Sequence, residues 1–204
     1  MVKRRLNQKE RKEETRQMLL ESAAETFAQL GFHGASVDKI AESAGFSKGA
    51  VYAHFKSKEE LFLALLKQQI ETQISIISDV WGEYQSFDRF IEKMEDYFCS
   101  ARQKNRAWGL LSMEFLLSAM RDESVREKWA TLILESVEII SGIIEKMMME
   151  EAHEPTLSAE ELAWTILSLE NGMAIFYYII EDKTPPNLYG KALKKMLHPH
   201  HHEV

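Results

Sequence analysis

The chain is poor in the residues that staple, break or thread a polypeptide. It holds one cysteine, Cys99, which excludes an intramolecular disulfide framework and a multi-cysteine zinc site. Four prolines and nine glycines stand among 204 residues, and no proline precedes Pro155. So few breakers argue against an all-β fold with many tight turns. The longest uninterrupted apolar run, Met173 to Ile180, is far too short to span a bilayer. The N-terminus is basic but lacks the apolar core of a secretory leader. Outside the terminal tract 198–202, no His-x-x-x-His pair, glycine-rich phosphate loop or nucleophile elbow occurs, so no catalytic residue, metal ion or cofactor is expected. Cys99 lies beside Phe98 in an apolar helical stretch, which suggests packing rather than nucleophilic chemistry. A soluble, cytoplasmic protein without a membrane partner is the expectation.

Apolar residues make up 45% of the chain, enough for a sizeable core. The net charge is −7, which globally disfavours a polyanionic partner. The average conceals an asymmetry. Residues 1–58 carry eleven Lys or Arg against seven Asp or Glu, a net of +4; residues 59–204 carry fourteen against twenty-five, a net of −11. A short basic segment joined to a long acidic one suggests local contact with a polyanion. Arg4, Arg5 and Arg11 read as an arm reaching a groove or, at least as well, as a tail, and Lys3, Arg4 and Arg5 as a solvated one.

Apolar spacing is helical throughout, and no stretch alternates at period two. Leu19, Ala23, Phe27 and Leu30 mark one buried face, stopped by Gly31. Ser36 caps a short helix and Ser47 another, with Gly45 between them; Ser57, with Glu60, opens a long one. Further helices are expected over 87–103, 108–120, 124–151 and 187–197, and from Ser158, whose capping box Glu161 completes. Glu154-Pro155 and Thr184-Pro185-Pro186 mark turns, and the histidine-rich tract 198–202 reads as a tail rather than a metal site.

Ser36 to Lys58 reads as two short helices around a glycine turn, the grammar of a helix-turn-helix. Ala41 allows close helix packing, Gly45 supplies positive φ, and Ile40, Val51 and Phe55 fill the core. The second helix, Ser47 to His54, is two turns long, so few side chains can reach bases. Lys48 suits guanine O6 or N7, Ala50 a thymine methyl, and Gly49 close backbone approach. Tyr52 and His54 can bond phosphates, or be satisfied, partly buried residues. Ser36 can offer a phosphate its hydroxyl and N–H, or be only a cap.

The stretch Phe27 to Leu66 resembles the DNA-binding region of the TetR family of bacterial transcription regulators. The residues that carry the resemblance are Phe27, Gly31-Phe32, Ser36-Val37, Ile40-Ala41, Ala44-Gly45, Ser47, Gly49, Tyr52, His54-Phe55, Lys58 and Leu61. Phe46 departs from the family's usual Val. The resemblance implies an all-α fold with two domains. Residues 1–57 would form a three-helix DNA-binding head, and 58–204 a helical effector-binding and dimerisation domain. It implies a ligand-responsive regulator, usually a repressor, that binds a palindromic operator as a homodimer. Tyr52, His54 and Lys58 would then clamp the DNA backbone. An activator with the same head is the alternative; a helical interaction module or an enzyme without DNA binding stands further off.

Leu162, Ile166, Leu169, Met173, Phe176 and Ile180 recur at four and three, a seam for a partner helix or, equally, for an intrachain core. The resemblance favours a dimer made by the last two helices. It also implies an effector pocket in the larger domain. Trp108, Met113, Phe115 and Trp129 are candidate lining residues there, for an apolar or aromatic effector; ordinary core is the competing account of each.

Overall fold

A computed structural model describes residues 7–104, 106–150, 156–180 and 183–197. The tail 198–202, residues 3–5 and the turn at Glu154-Pro155 lie outside the described residues. Every regular element among the described residues longer than a single turn is an α-helix: α1 Gln8–Gly34, α2 Val37–Ser43, α3 Lys48–Tyr52, α4 Lys58–Tyr84, α5 Phe87–Lys104, α6 Arg106–Ala119, α7 Glu123–Glu150, α8 Ala159–Ile180 and α9 Leu188–Leu197.

The helices start where side chains can take up free backbone N–H groups. Asn7 and Glu10 form a full capping box on α1. The box expected at Ser158 is present: Glu161 N–H donates to Ser158 Oγ at 3.2 Å, and Ser158 N–H to Glu161 Oε2 at 2.8 Å. At α4 the box is only half made. Glu60 N–H donates to Ser57 Oγ at 3.1 Å, but the Glu60 carboxylate accepts from Lys56 N–H instead of Ser57.

The chain divides into two compact units, though not at residue 57. One takes in the chain up to Gln69 together with Leu111–Trp129; the other comprises Ile70–Leu110 and the chain from Ala130 onward. The first unit extends past the expected head because of its aromatic core. Phe27, Phe32, Phe62 and Phe115 are all buried. Phe115 of α6 lies 4.9 Å from Phe32 and 4.4 Å from Phe62, ring centre to ring centre, and Trp129 of α7 stacks on it at 5.1 Å. Burying a phenylalanine is worth about 1.5–3 kcal/mol, and offset or edge-on ring pairs add about 0.5–1.5 kcal/mol.

The same unit contains an abrupt turn near the end of α1, at Gly31. Gly31 has φ +72°, which a glycine adopts without steric cost. The helix kinks there, and Phe32 rather than Leu30 stacks on Phe27, 5.8 Å away. Leu30, expected on the buried face, is consequently 42% exposed. Two side chains of opposite charge hold the turn. Glu114 of α6 accepts from the N–H groups of Phe32 at 3.0 Å and His33 at 3.1 Å. Lys58 of α4 donates to the carbonyls of Phe32 at 2.8 Å and Ala35 at 3.1 Å, with its ammonium 4.4 Å from the Phe32 ring centre.

The second unit is built on α5 and α9. Phe87, Phe90, Ile91, Met94 and Phe98 form the buried stripe of α5, and Tyr189, Leu193 and Leu197, at four-residue spacing, that of α9. The Phe98 and Tyr189 rings stack with centres 4.3 Å apart. Ile140, Ile144 and Met147 of α7 and Leu162 of α8 complete the core, and Trp81 Nε1–H donates to Glu150 at 2.7 Å. Cys99, expected to pack, is exposed, its Sγ 3.0 Å from Glu95 Oε1. Its i, i+4 neighbour, not an apolar face, sets its surroundings.

Replacing Lys58 by Met removes both donors from the carbonyls of Phe32 and Ala35. A loss of about 1–3 kcal/mol in unfolding free energy is expected, read from the urea midpoint. An unchanged midpoint would mean that these bonds hold nothing.

Candidate nucleic-acid interface

The α2–α3 pair is a finished helix-turn-helix. Ser36 Oγ accepts from Lys39 N–H at 3.3 Å and Ser47 Oγ from Ala50 N–H at 3.2 Å, so both serines cap as the sequence suggests. Gly45 has φ +72°, and the turn closes with Phe46 N–H on Ala41 O at 2.9 Å and Gly45 N–H on Glu42 O at 3.1 Å. This is the left-handed glycine cap that satisfies the last carbonyls of a helix. Ile40, Ala41, Val51 and Phe55 are buried as expected, and Ser22 O–H ties α1 to the Ile40 carbonyl at 2.9 Å. Phe46, where the family pattern has Val, is half-buried.

Burial of Val51 turns the rest of α3 outward. Helix α3 is shorter than the two turns expected, five residues, with His54 in the turn beyond it. Lys48 and Gly49 are exposed, Ala50 is half-buried and Tyr52 is 47% exposed. A Cβ on Gly49 would meet nothing nearer than Ser47 Oγ at 3.7 Å. Internal packing therefore does not demand a glycine there, which leaves approach from outside as a reason for it. Lys48 Nζ lies 2.7 Å from Asp38 Oδ2, and that hydrogen bond and its charge raise the lysine's pKa. Both side chains are more than half exposed, so solvent screens the pair and it is weak.

His54 is half-buried, and desolvation, followed by the charges of Lys12 and Arg16, lowers its pKa below the usual 6.5. Lys12 and Arg16 are additions of the fold. They lie on α1, thirty-eight or more residues from His54, and no local pattern links them. The Arg16 guanidinium sits 5.2 Å from the Phe55 ring centre, which orients it beside the same corner. Lys58, expected to clamp a phosphate, is instead committed to the carbonyls of Phe32 and Ala35. The structure brings Ser36, Ser47, Lys48, Gly49, Ala50, Tyr52 and His54 onto one short motif and gives Lys58 an internal task.

The candidate effector residues do not converge. Met113, Phe115 and Trp129 belong to the first unit, and Phe115 is fully buried by aromatic neighbours. Trp108 belongs to the second unit. An apolar cavity lies within that second unit, and none of the four lines it. The dimer seam also divides. Leu162 is fully buried in its own unit, and Ile166, Leu169 and Met173 pack partly against the same core. Phe176 and Ile180 are exposed, as are Trp164, Ile175 and Ile179. The outward apolar stripe of α8 thus runs through Trp164, Ile175 and Ile179, with Phe176 beside it. Only the first four heptad positions, Leu162 to Met173, face α8's own core; Phe176 and Ile180 lie on the exposed surface with this stripe.

The lowered pKa of His54 makes stability pH-dependent. The folded state favours neutral imidazole, so its contribution is full above the unfolded value near 6.5. It is lost as pH falls through that value toward the lower folded one. Unfolding midpoints measured between pH 7.5 and 5.5 should therefore decline on acidification, and less steeply in His54→Gln. Equal slopes for the two proteins would place the effect elsewhere.

Comparison with known proteins agrees with this geometry. Residues 19–65 match the family model described as bacterial regulatory proteins, tetR family. The transcriptional repressor AcnR of Corynebacterium diphtheriae is 28% identical over 138 residues, 68% of this chain and 65% of AcnR. The transcriptional activator FasR of Mycolicibacterium smegmatis is 44% identical over 64 residues, 31% of this chain and 29% of FasR. The chain thus spans less than two thirds of either relative. The fold matches that of the transcriptional regulator FadR from Bacillus subtilis, solved with stearoyl-CoA, with a TM-score of 0.68 and 18% identity over 89% of this chain and 97% of FadR. The helix-turn-helix residues and the family match over them agree: residues 19–65 are similar to the bacterial regulatory proteins of the tetR family.

Proposed function

We propose that the chain is a transcriptional regulator, in the first instance a repressor, that binds operator DNA as a homodimer and is released by a small molecule. It is not an enzyme, and it acts in the cytoplasm, where the bacterial chromosome lies. The observation that carries this is the outward set on α3, Lys48, Gly49, Ala50 and Tyr52, held rigidly by the buried Val51 and Phe55. Lys48 leaves its weak pair with Asp38 to reach a base edge, Ala50 meets a thymine methyl, and Tyr52 bonds a phosphate. His54, with Lys12 and Arg16 beside it, faces the flanking backbone. The activator reading also has an observation behind it, the 44% identity of FasR over 64 residues. The head supports both; the sense of regulation depends on where the operator lies.

Dimerisation follows from how little α3 offers. A five-residue helix makes few base contacts, and a second head at a fixed spacing multiplies them. The exposed stripe of Trp164, Ile175 and Ile179 supplies a surface suited to a second copy of α8. Effector release needs only differential affinity for two arrangements of the heads. Helices α4, α6 and α7 have residues in both units, and α4 and α6 also supply Lys58 and Glu114 to the α1–α2 turn. A shift of either helix is therefore felt at the head.

Two outcomes test this, each against DNA selected by the protein from a random duplex pool. The double substitution Lys48→Ala, Tyr52→Ala should abolish operator binding in a mobility-shift assay while sedimentation still reports a dimer; persistent binding would refute the site. Ile179→Glu should yield a monomer whose operator affinity falls by tenfold or more, about 1.4 kcal/mol. A dimer that survives it would move the interface off α8.

A further inference from the structure

The cavity of the second unit is walled mainly by apolar side chains of α4, α5, α7, α8 and α9, among them Ile77, Phe90, Met94, Ile144 and Met147. Its polar exceptions are Gln73, Glu170 and Tyr189. Tyr189 O–H donates to Glu170 Oε1 at 2.5 Å, and Gln73 Nε2–H to Glu170 Oε2 at 2.9 Å. Both donors are neutral. They give each carboxylate oxygen one hydrogen bond without cancelling its charge, and no ion pair to Glu170 exists among the described residues. The nearby titratable groups do not help: Glu95, whose carboxylate accepts from the Gly190 N–H, and Tyr97 supply no positive charge.

We propose that this cavity takes an organic cation, with a protonated amine paired to Glu170 and an apolar body among Met94, Met147 and Phe90. The proposal rests on the effector-responsive reading and names the chemical class of the effector. A carboxylate withdrawn from water is costly unless a charge or proton compensates it. Desolvation accordingly raises the pKa of Glu170, opposed by the two hydrogen bonds, and raises that of Tyr189 well above 10. An ammonium group relieves the first cost directly. The Phe90 and Tyr189 rings add faces that attract a cation. The cavity volume is about 30 Å³, space for a small polar head only. The ligand's body must therefore displace side chains, and unbranched methionines yield more readily than branched ones. A neutral or anionic amphiphile gains the apolar contact but not the pairing, and an anion meets repulsion.

Calorimetric titration of the full chain at pH 7 with decylamine, decanol and decanoate, each below its micelle concentration, tests this. Decylamine should bind at least about tenfold more tightly than decanol, the worth of one charge-assisted hydrogen bond, and decanoate should bind weakest. In Glu170→Gln the preference for the amine over the alcohol should vanish while decanol binding persists. Equal binding of amine and alcohol, tighter binding of decanoate, absence of binding by all three, or an amine preference that survives in Glu170→Gln would each overturn the assignment. Operator affinity is measured separately. Amine binding that leaves it unchanged supports the cavity's specificity and counts against the effector reading.

Discussion

The turn at Gly31, near the end of α1, is held by opposite charges on opposite backbone groups, and the helix-turn-helix head depends on it. Glu114 takes the N–H groups of Phe32 and His33, and Lys58 supplies hydrogen to the carbonyls of Phe32 and Ala35. The kink at Gly31 leaves these groups outside regular helical pairing, and buried or half-buried backbone must find partners. The two partners come from α6 and α4, at sequence separations of up to 82 residues. The direction in which α2 leaves α1 is thus set by side chains outside the three helices of the motif. Glu114 sits so close that a Cβ on Gly31 would lie 3.0 Å from its carboxylate.

That arrangement changes how the charge asymmetry is understood. The net +4 of residues 1–58 is not all available to a polyanion. Lys58 is spent on the internal turn and Lys48 rests against Asp38, whereas Lys12 and Arg16 gather beside His54. The electrostatic footprint of the head is shaped by the fold and not by the count alone. In the acidic body one carboxylate stands out. Glu170 is half-buried beside an apolar cavity, with Tyr189 and Gln73, both neutral, as its donors.

Local patterns were legible and long-range ones were not. The caps at Ser36, Ser47 and Ser158, the positive φ at Gly45 and the burial of Val51 and Phe55 follow from residues within a few positions of one another. The helix-turn-helix and its outward face could therefore be read from the chain. The task of Lys58 could not, because its acceptors lie 23 and 26 residues away across a turn. The aromatic cluster around Phe115 was hidden for the same reason, and this one of the four residues that suggested a ligand pocket is fully buried core. Leu30 and Leu162 depart from expectation in opposite senses: one is turned out beside the kink at Gly31, the other is claimed by its own unit. Periodicity identifies an apolar face without naming what covers it.

Hydrogen exchange at the amides of Phe32 and His33 tests the central claim most directly. In the wild-type chain both should exchange slowly, with a free energy near that of their unit's global opening. In Glu114→Ala both should exchange at least tenfold faster while the amides inside α2 and α3 keep their protection relative to one another. Slow exchange at Phe32 and His33 in both proteins would contradict it, since another feature of the chain would then be holding the turn.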